Sequence, residues 1–215
     1  MQIDQLIQTI AIAAIPILFA ITLHEAAHGY VARHFGDMTA YQQGRISLNP
    51  IRHIDPVGTI LLPLLTLTMG GILFGWAKPV PVNFAALHRP KQDMLWVALA
   101  GPIANLFMAL LWALLAKLAW TLPANYFVVP LLKMAQIGIE INIVLMVLNL
   151  LPLPPLDGGR MAVSLLPHRQ ASILEKVEPY GMFILIFLAI SKVLSLILGP
   201  PVIGLTKLIN SIFGL

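Results

Sequence analysis

The run His24-Glu25-Ala26-Ala27-His28 combines two imidazoles and a carboxylate at close spacing. On a helix, residues i and i+4 share a face, so both imidazoles can reach one metal ion. Glu25 follows His24 directly, where its carboxylate can orient and deprotonate a metal-bound water. The chemistry this set supplies is attack of an activated water on a carbonyl carbon. Cysteine is absent, so a thiol nucleophile, a Cys-based zinc site and a disulfide framework are all excluded.

A catalytic zinc takes three protein ligands and leaves one position for water. His34 stands six residues after His28, the offset of the pattern HExxHxxGxxH, but Val31 occupies the place of its glycine. On a continuing helix His34 is rotated by about 240° from His28, which argues against it. His53, His88 and His168 sit in charged loops and are expected to be solvated or interfacial. Asp157 is the better third ligand. It follows Pro152, Pro154 and Pro155, which cannot continue a helix. Gly158 and Gly159 then allow the carboxylate to approach a metal or a turn closely. The competing reading of Asp157 is a helix N-cap, a role that does not exclude ligation.

The elements that must position these groups follow from composition. Of 215 residues, 59% are hydrophobic and 10% charged, against about 25% charged in a soluble domain. Such a chain cannot cover a water-facing surface, which excludes a soluble enzyme, a disordered tail and a nucleic-acid module. The expected fold is an all-α polytopic membrane protein of about four to six hydrophobic segments, with a re-entrant β-hairpin-like element after the first helix. The first helix, carrying both histidines, covers about 6–32, and the re-entrant segment about 57–83. Further helices cover about 94–120, 127–151 and 180–198. A tail from 200 to 215, broken by two prolines and two glycines, is expected at the interface.

The hairpin is inferred from charge. Arg33, Arg45 and Arg52 follow the first stretch, Lys78, Arg89 and Lys91 the second, and Arg160, Arg169 and Lys176 the fourth. The positive-inside rule places all three loops on the cytoplasmic side, which requires that the second stretch, with Pro63 and Gly70-Gly71, does not cross; the alternative is a plain fifth crossing. The first and fourth helices then run parallel, bringing His24, His28 and Asp157 to one face.

Other polar residues lie within the apolar stretches. Asn142 and Asn149 are seven apart and share a helix face, where they could serve a substrate backbone, the metal shell or interhelical hydrogen bonds. Asn105, one turn after Pro102, is expected to satisfy carbonyls freed by that proline. Glu140 points about 200° away from Asn142 and has no identifiable partner in the sequence.

These residues resemble the site-2 protease (M50-type) family of intramembrane zinc metalloproteases, in its compact branch without a PDZ or CBS domain. His24-Glu25-Ala26-Ala27-His28 matches the zinc motif and Leu156-Asp157-Gly158 the LDG motif. Gly101-Pro102-Ile103-Ala104-Asn105 looks like the GPxxN element. The resemblance covers nearly the whole chain and implies a single integral-membrane peptidase domain over 1–215. It implies one Zn2+ per chain on His24, His28 and Asp157, with Glu25 as catalytic base. It places Asn149 near substrate, with Asn142, Asn105 and Gly158 as further substrate-binding or site-shaping residues. The implied activity is hydrolysis of peptide bonds in or near transmembrane segments, for regulated intramembrane proteolysis or signal-peptide clearance. The implied partners are a membrane-protein substrate and the lipid bilayer, with no nucleic acid. The implied location is the prokaryotic inner membrane, with the active site towards the cytoplasm. An extended segment, Phe74–Asn83, is a plausible edge strand for an unwound substrate. Two other classes compete. A membrane metal or ion carrier would show two related halves, and no repeat is visible. A non-catalytic scaffold would have no use for an intact Glu25 and ligand set.

Overall fold

The computed structural model describes residues 3–61, 77–123 and 126–215. The long apolar runs form long helices. The first, α1, spans Ile3–His34 and contains Pro16. It ends at Gly36, whose φ of +105° is a left-handed conformation. The Gly36 amide bonds the Arg33 carbonyl at 3.1 Å and the Asp37 amide bonds the Ala32 carbonyl at 3.0 Å, a Schellman close. A side chain at Gly36 would also collide with the His88 ring.

A short helix, α2, covers Thr39–Gln42. It is followed by a 3-10 turn at Pro50–His53 and a π-helical turn at Pro56–Leu61. Helix α3, Pro90–Trp120, begins with proline at its first position, where a missing amide hydrogen costs nothing. Helix α4 is Val128–Asn149, α5 Asp157–Leu165, α6 His168–Glu175, α7 Glu178–Ile190 and α8 Val193–Phe213. Four segments are long and apolar enough to cross a membrane: Ile10–His34, Pro90–Trp120, Val128–Asn149 and Val193–Phe213. Among the described residues there is no strand; their regular structure is all helical, and the chain is a multi-pass membrane protein.

Small residues bring the spans together. Ala109, Ala113 and Ala116 of α3 share a core with Ala135, Ile139 and Ile143 of α4. Gly138 lies against the Trp112 ring, so close that a β-carbon there would sit 2.4 Å from it. Without a hydrophobic drive between helices in lipid, such close backbone approach is the main source of attraction.

Cross-helix contacts give the directions. His28 meets Val97 and His24 meets Asn105, so α1 and α3 are antiparallel. Asn105 meets Asn142 and Trp112 meets Gly138, so α3 and α4 are antiparallel. Helices α1 and α4 therefore run parallel. The His88 amide bonds the Phe35 carbonyl at 2.9 Å, and Ala32, Leu87 and Met94 share one cluster. The connection from α1 to α3 thus leaves and returns at the same end of the bundle.

Two expectations change, and a third is not reached. The turn of the re-entrant segment, with Pro63 and Gly70-Gly71, lies outside the described residues. The described part of the expected edge strand, 77–83, has no strand partner, because Pro79 and Pro81 have no amide hydrogen and the Val80 amide bonds the Glu25 side chain. The fifth helix does not run through 180–198. Lys192, at φ 62°, breaks it, and the expected interfacial tail instead belongs to the spanning helix α8, which continues through Pro200 and Pro201. Adjacent prolines remove two consecutive amide donors while their fixed φ remains helical, so the helix loses two bonds and still continues to Phe213.

Candidate metal centre

Helix α1 presents His24 and His28 on one face, and both are buried. Asp157 is the first residue of α5, preceded by the bend over 150–156. Three glycines let this bend close. A β-carbon on Gly158 would lie 2.3 Å from the Leu150 carbonyl oxygen, one on Gly159 2.2 Å from the Pro154 nitrogen, and one on Gly181 1.7 Å from the Pro154 oxygen. Only glycine allows these backbones to touch, and this contact fixes where Asp157 points. The far end of α5 is tied to the start of α3, where Ser164 Oγ donates to the Lys91 carbonyl and Lys91 Nζ to the Leu166 carbonyl.

The three side chains meet. His24 Nε2 and His28 Nε2 are 3.1 Å apart. Asp157 Oδ2 is 3.2 Å from His24 Nε2, and Oδ1 is 3.3 Å from His28 Nε2. The other ring nitrogens are committed. His28 Nδ1 donates to the Val97 carbonyl at 2.7 Å, and His24 Nδ1 to Asn105 Oδ1 at 2.6 Å. A carbonyl oxygen can only accept, so each neutral ring carries its proton on Nδ1 and turns the Nε2 lone pair inward. Two lone pairs and a carboxylate then face one point, an arrangement that suits a metal cation among them.

The spacing fits a metal. Ligands bonded at about 2.0–2.1 Å in a tetrahedron lie about 3.3 Å from one another; the two Nε2 atoms are 3.1 Å apart, each lies 3.2 or 3.3 Å from a different oxygen of Asp157, and one ligand atom from each residue falls within 4.8 Å of the others. Gly101 forms the wall over the histidines. A β-carbon there would stand 2.4 Å from His28 Nε2 and 2.7 Å from His24 Nε2. Asp157 is suited to a cation: burial works to raise its carboxyl, but positive charge placed at the two Nε2 atoms, as on protonated rings, outweighs this and holds it down to about 2.

The neighbouring residues differ in part from the sequence expectation. Asn105 is fully buried and does not serve the carbonyls near Pro102. Its Nδ2 donates to the Ala20 carbonyl at 3.2 Å and to Asn142 Oδ1 at 2.9 Å. Asn142 Nδ2 in turn donates to the Gly138 carbonyl at 2.8 Å. A chain of hydrogen bonds therefore runs from His24 through Asn105 and Asn142 to the backbone of α4. Asn149 stands apart, donating to the Leu145 carbonyl of its own helix at 3.0 Å. Asp157 is not an N-cap; that position is Leu156. His34 is exposed. His53 is not solvated: it is 1% exposed and its Nε2 bonds the Ser47 carbonyl at 2.8 Å, because Asn49 caps the 3-10 turn that carries it inward.

Glu25, half-buried on α1, accepts the Val80 amide hydrogen through Oε2 at 2.7 Å. Arg45 Nη2 fixes the segment around Val80 by donating to the Lys78 and Pro79 carbonyls at 3.0 and 3.2 Å. Asp37 Oδ2 accepts the Asn83 amide at 2.7 Å. Sequence reasoning missed Gly101, Val97 and Val80 as site residues. The Gly101-Pro102 pair inside a helix was a signal for the first; backbone roles such as those of Val97 and Val80 leave none.

Known proteins are similar to this chain in sequence. YwhC of Bacillus subtilis (strain 168), provisionally named a zinc metalloprotease, is 38% identical over 206 residues, covering 93% of this chain and 91% of YwhC. The chain belongs to peptidase family M50. The model of that family matches residues 121–191, the stretch that holds α4, α5 and Asp157. Two further relatives bear the name Rip2, also provisionally zinc metalloproteases. The one from Mycolicibacterium smegmatis is 33% identical over 180 residues, 83% of this chain and 66% of its own. The one from Mycobacterium tuberculosis H37Rv is 31% identical over 192 residues, 87% of this chain and 66% of its own. No solved structure matches the chain.

Proposed function

We propose that this member of peptidase family M50 is a zinc-dependent endopeptidase that cuts membrane proteins in or near their transmembrane segments. The observation that carries the reading is the convergence of His24 Nε2, His28 Nε2 and the Asp157 carboxylate within 4.8 Å of one another, inside a bundle of membrane-length helices. These three residues would hold one Zn2+ per chain. When bound, the ion polarises a scissile carbonyl and brings the pKa of its water towards about 7.

The protein's own groups do the rest. Glu25 takes a proton from the attacking water and returns it to the leaving amine. The Val80 amide holds one Glu25 oxygen and so orients the carboxylate. Asn105 and the Val97 carbonyl keep both imidazoles turned with Nε2 inward. A substrate helix must unwind locally, since its scissile bond is otherwise shielded by its own turns. The basic loops around Arg33, Arg45 and Arg89 lie at the end of the bundle near the site, which by the positive-inside rule is the cytoplasmic side of a cell membrane. The carrier alternative lacks a path, because Glu140 is on the exposed face of α4 and bonded to Gln136.

The test pairs two measurements on the full chain in liposomes: bound zinc, and cleavage of an embedded single-span substrate. Glu25→Gln is expected to retain zinc and lose cleavage. Undiminished cleavage would overturn the mechanism.

A further inference from the structure

Helix α4 has a polar stripe on the side away from the metal. Lys133, Gln136 and Glu140 are spaced three and four apart, share one face, and are all exposed. Gln136 Nε2 donates to Glu140 Oε1 at 2.7 Å, a bond made within the stripe. The buried face of the same helix holds Ala135, Gly138, Ile139 and Asn142.

Glu140 lies deep in its span. It stands twelve residues after Val128 and nine before Asn149, about 18 Å and about 14 Å from the helix ends at 1.5 Å per residue. A lysine or arginine near an end can snorkel to the headgroups, and Lys133 is placed to do so. A glutamate side chain cannot span that distance. Carboxyl groups at such depth normally face a bundle interior, a water-filled cavity or a partner. Glu140 faces outward from the helices of this chain.

We infer that the Gln136–Glu140 face is a docking surface for a transmembrane helix of another protein carrying a lysine or arginine at mid-membrane depth. Charge selects this occupant over a second copy. Two parallel copies of α4 related by a twofold axis would bring Glu140 against Glu140, with Lys133 more than a helical turn away. The stripe points away from Asn142, the residue linked to His24, so a helix held there stands beside the catalytic centre and does not thread it. This surface is independent of the metal chemistry and would serve recruitment or regulation.

The experiment places the full chain in lipid nanodiscs with a labelled model peptide, a polyleucine helix with one central lysine, and reads association by energy transfer. A matched peptide with central leucine is the control. The lysine peptide is expected to bind the natural chain about 3- to 30-fold more tightly than it binds Glu140→Leu, the range measured for polar contacts between membrane helices. Glu140→Gln, which keeps a hydrogen-bonding side chain, is expected to fall between. Equal binding by both peptides, or lysine-peptide binding unaffected by Glu140→Leu, would overturn the inference. Energy transfer between differently labelled copies that vanishes in Glu140→Leu would assign the stripe to self-association and overturn it as well.

Discussion

The Glu25 carboxylate and the Val80 amide are 2.7 Å apart, joined across 55 positions of sequence. The hydrogen bond ties the glutamate proposed as catalytic base to the segment crossing beside it. Val80 precedes Pro81, which already restricts it to extended backbone, so proline at 80 removes the donor with little further constraint. Val80→Pro is expected to lower kcat about tenfold or more, since a hydrogen bond to a charged group contributes about 1.5–3 kcal/mol. Val80→Ala, which keeps the amide, should retain most activity. Steady-state kinetics with a single-span substrate decide it; equal losses would show that the side chain matters instead.

Gly101 has no room for a methyl group beside the two imidazoles. Gly101→Ala is expected to displace one ring and weaken zinc binding about tenfold or more, while the helical circular dichroism stays unchanged. Zinc titration against a competing chelator measures it. Normal affinity would mean that the histidines yield without loss.

The Asn105–Asn142 relay predicts a graded series. Asn105→Leu removes the acceptor of His24 Nδ1, and groups that orient a metal ligand typically contribute 10–100-fold in affinity or activity. Asn142→Leu acts one step further out and should cost less. Asn149→Leu should leave zinc affinity unchanged, because Asn149 bonds only Leu145 in this set. A reversed order would refute the relay.

Asp157→Ala is expected to weaken zinc binding, and His34→Ala to leave it intact. Positive charge at the two facing Nε2 atoms holds the Asp157 carboxyl down to about 2, below its ordinary 3.8. Its charge is therefore present above about pH 4 and lost only as the pH falls through about 2. Zinc released by acid between pH 7 and 4 is thus displaced by protons on the imidazoles. A zinc-retention curve that tracks carboxyl protonation above pH 4 would contradict this.

The Phe35–His88 contact predicts topology. Cysteines introduced singly at Gln43 and Arg89, in this cysteine-free chain, should label from the same side of the membrane, and one at Leu122 from the other. Labelling of positions 43 and 89 from opposite sides would mean a net crossing between α1 and α3.

The meeting of His24, His28 and Asp157 was legible because its cue is local: two histidines one turn apart, and an aspartate between a proline run and two glycines. The parallel course of α1 and α4 was legible from the few basic residues. What was hidden depends on register between helices. Nothing in the sequence near Asn105 says that its depth equals that of His24, so it was assigned to its own helix. Helix α8 was hidden because Pro200-Pro201 is the usual mark of a break, while the actual break is at Lys192, a residue with no special preference for left-handed backbone. His53 was misjudged because its charged neighbours were visible and the inward turn made by Asn49 was not.

The two histidines come from the first span, their orienting groups from the second and third, and the aspartate from the short helix after them. During synthesis on the ribosome, the histidines therefore enter the bilayer well before Asp157 exists. Until α3, α4 and the bend over 150–156 are in place, no complete site can form. The scattering of the site along the chain delays activity until insertion is nearly finished.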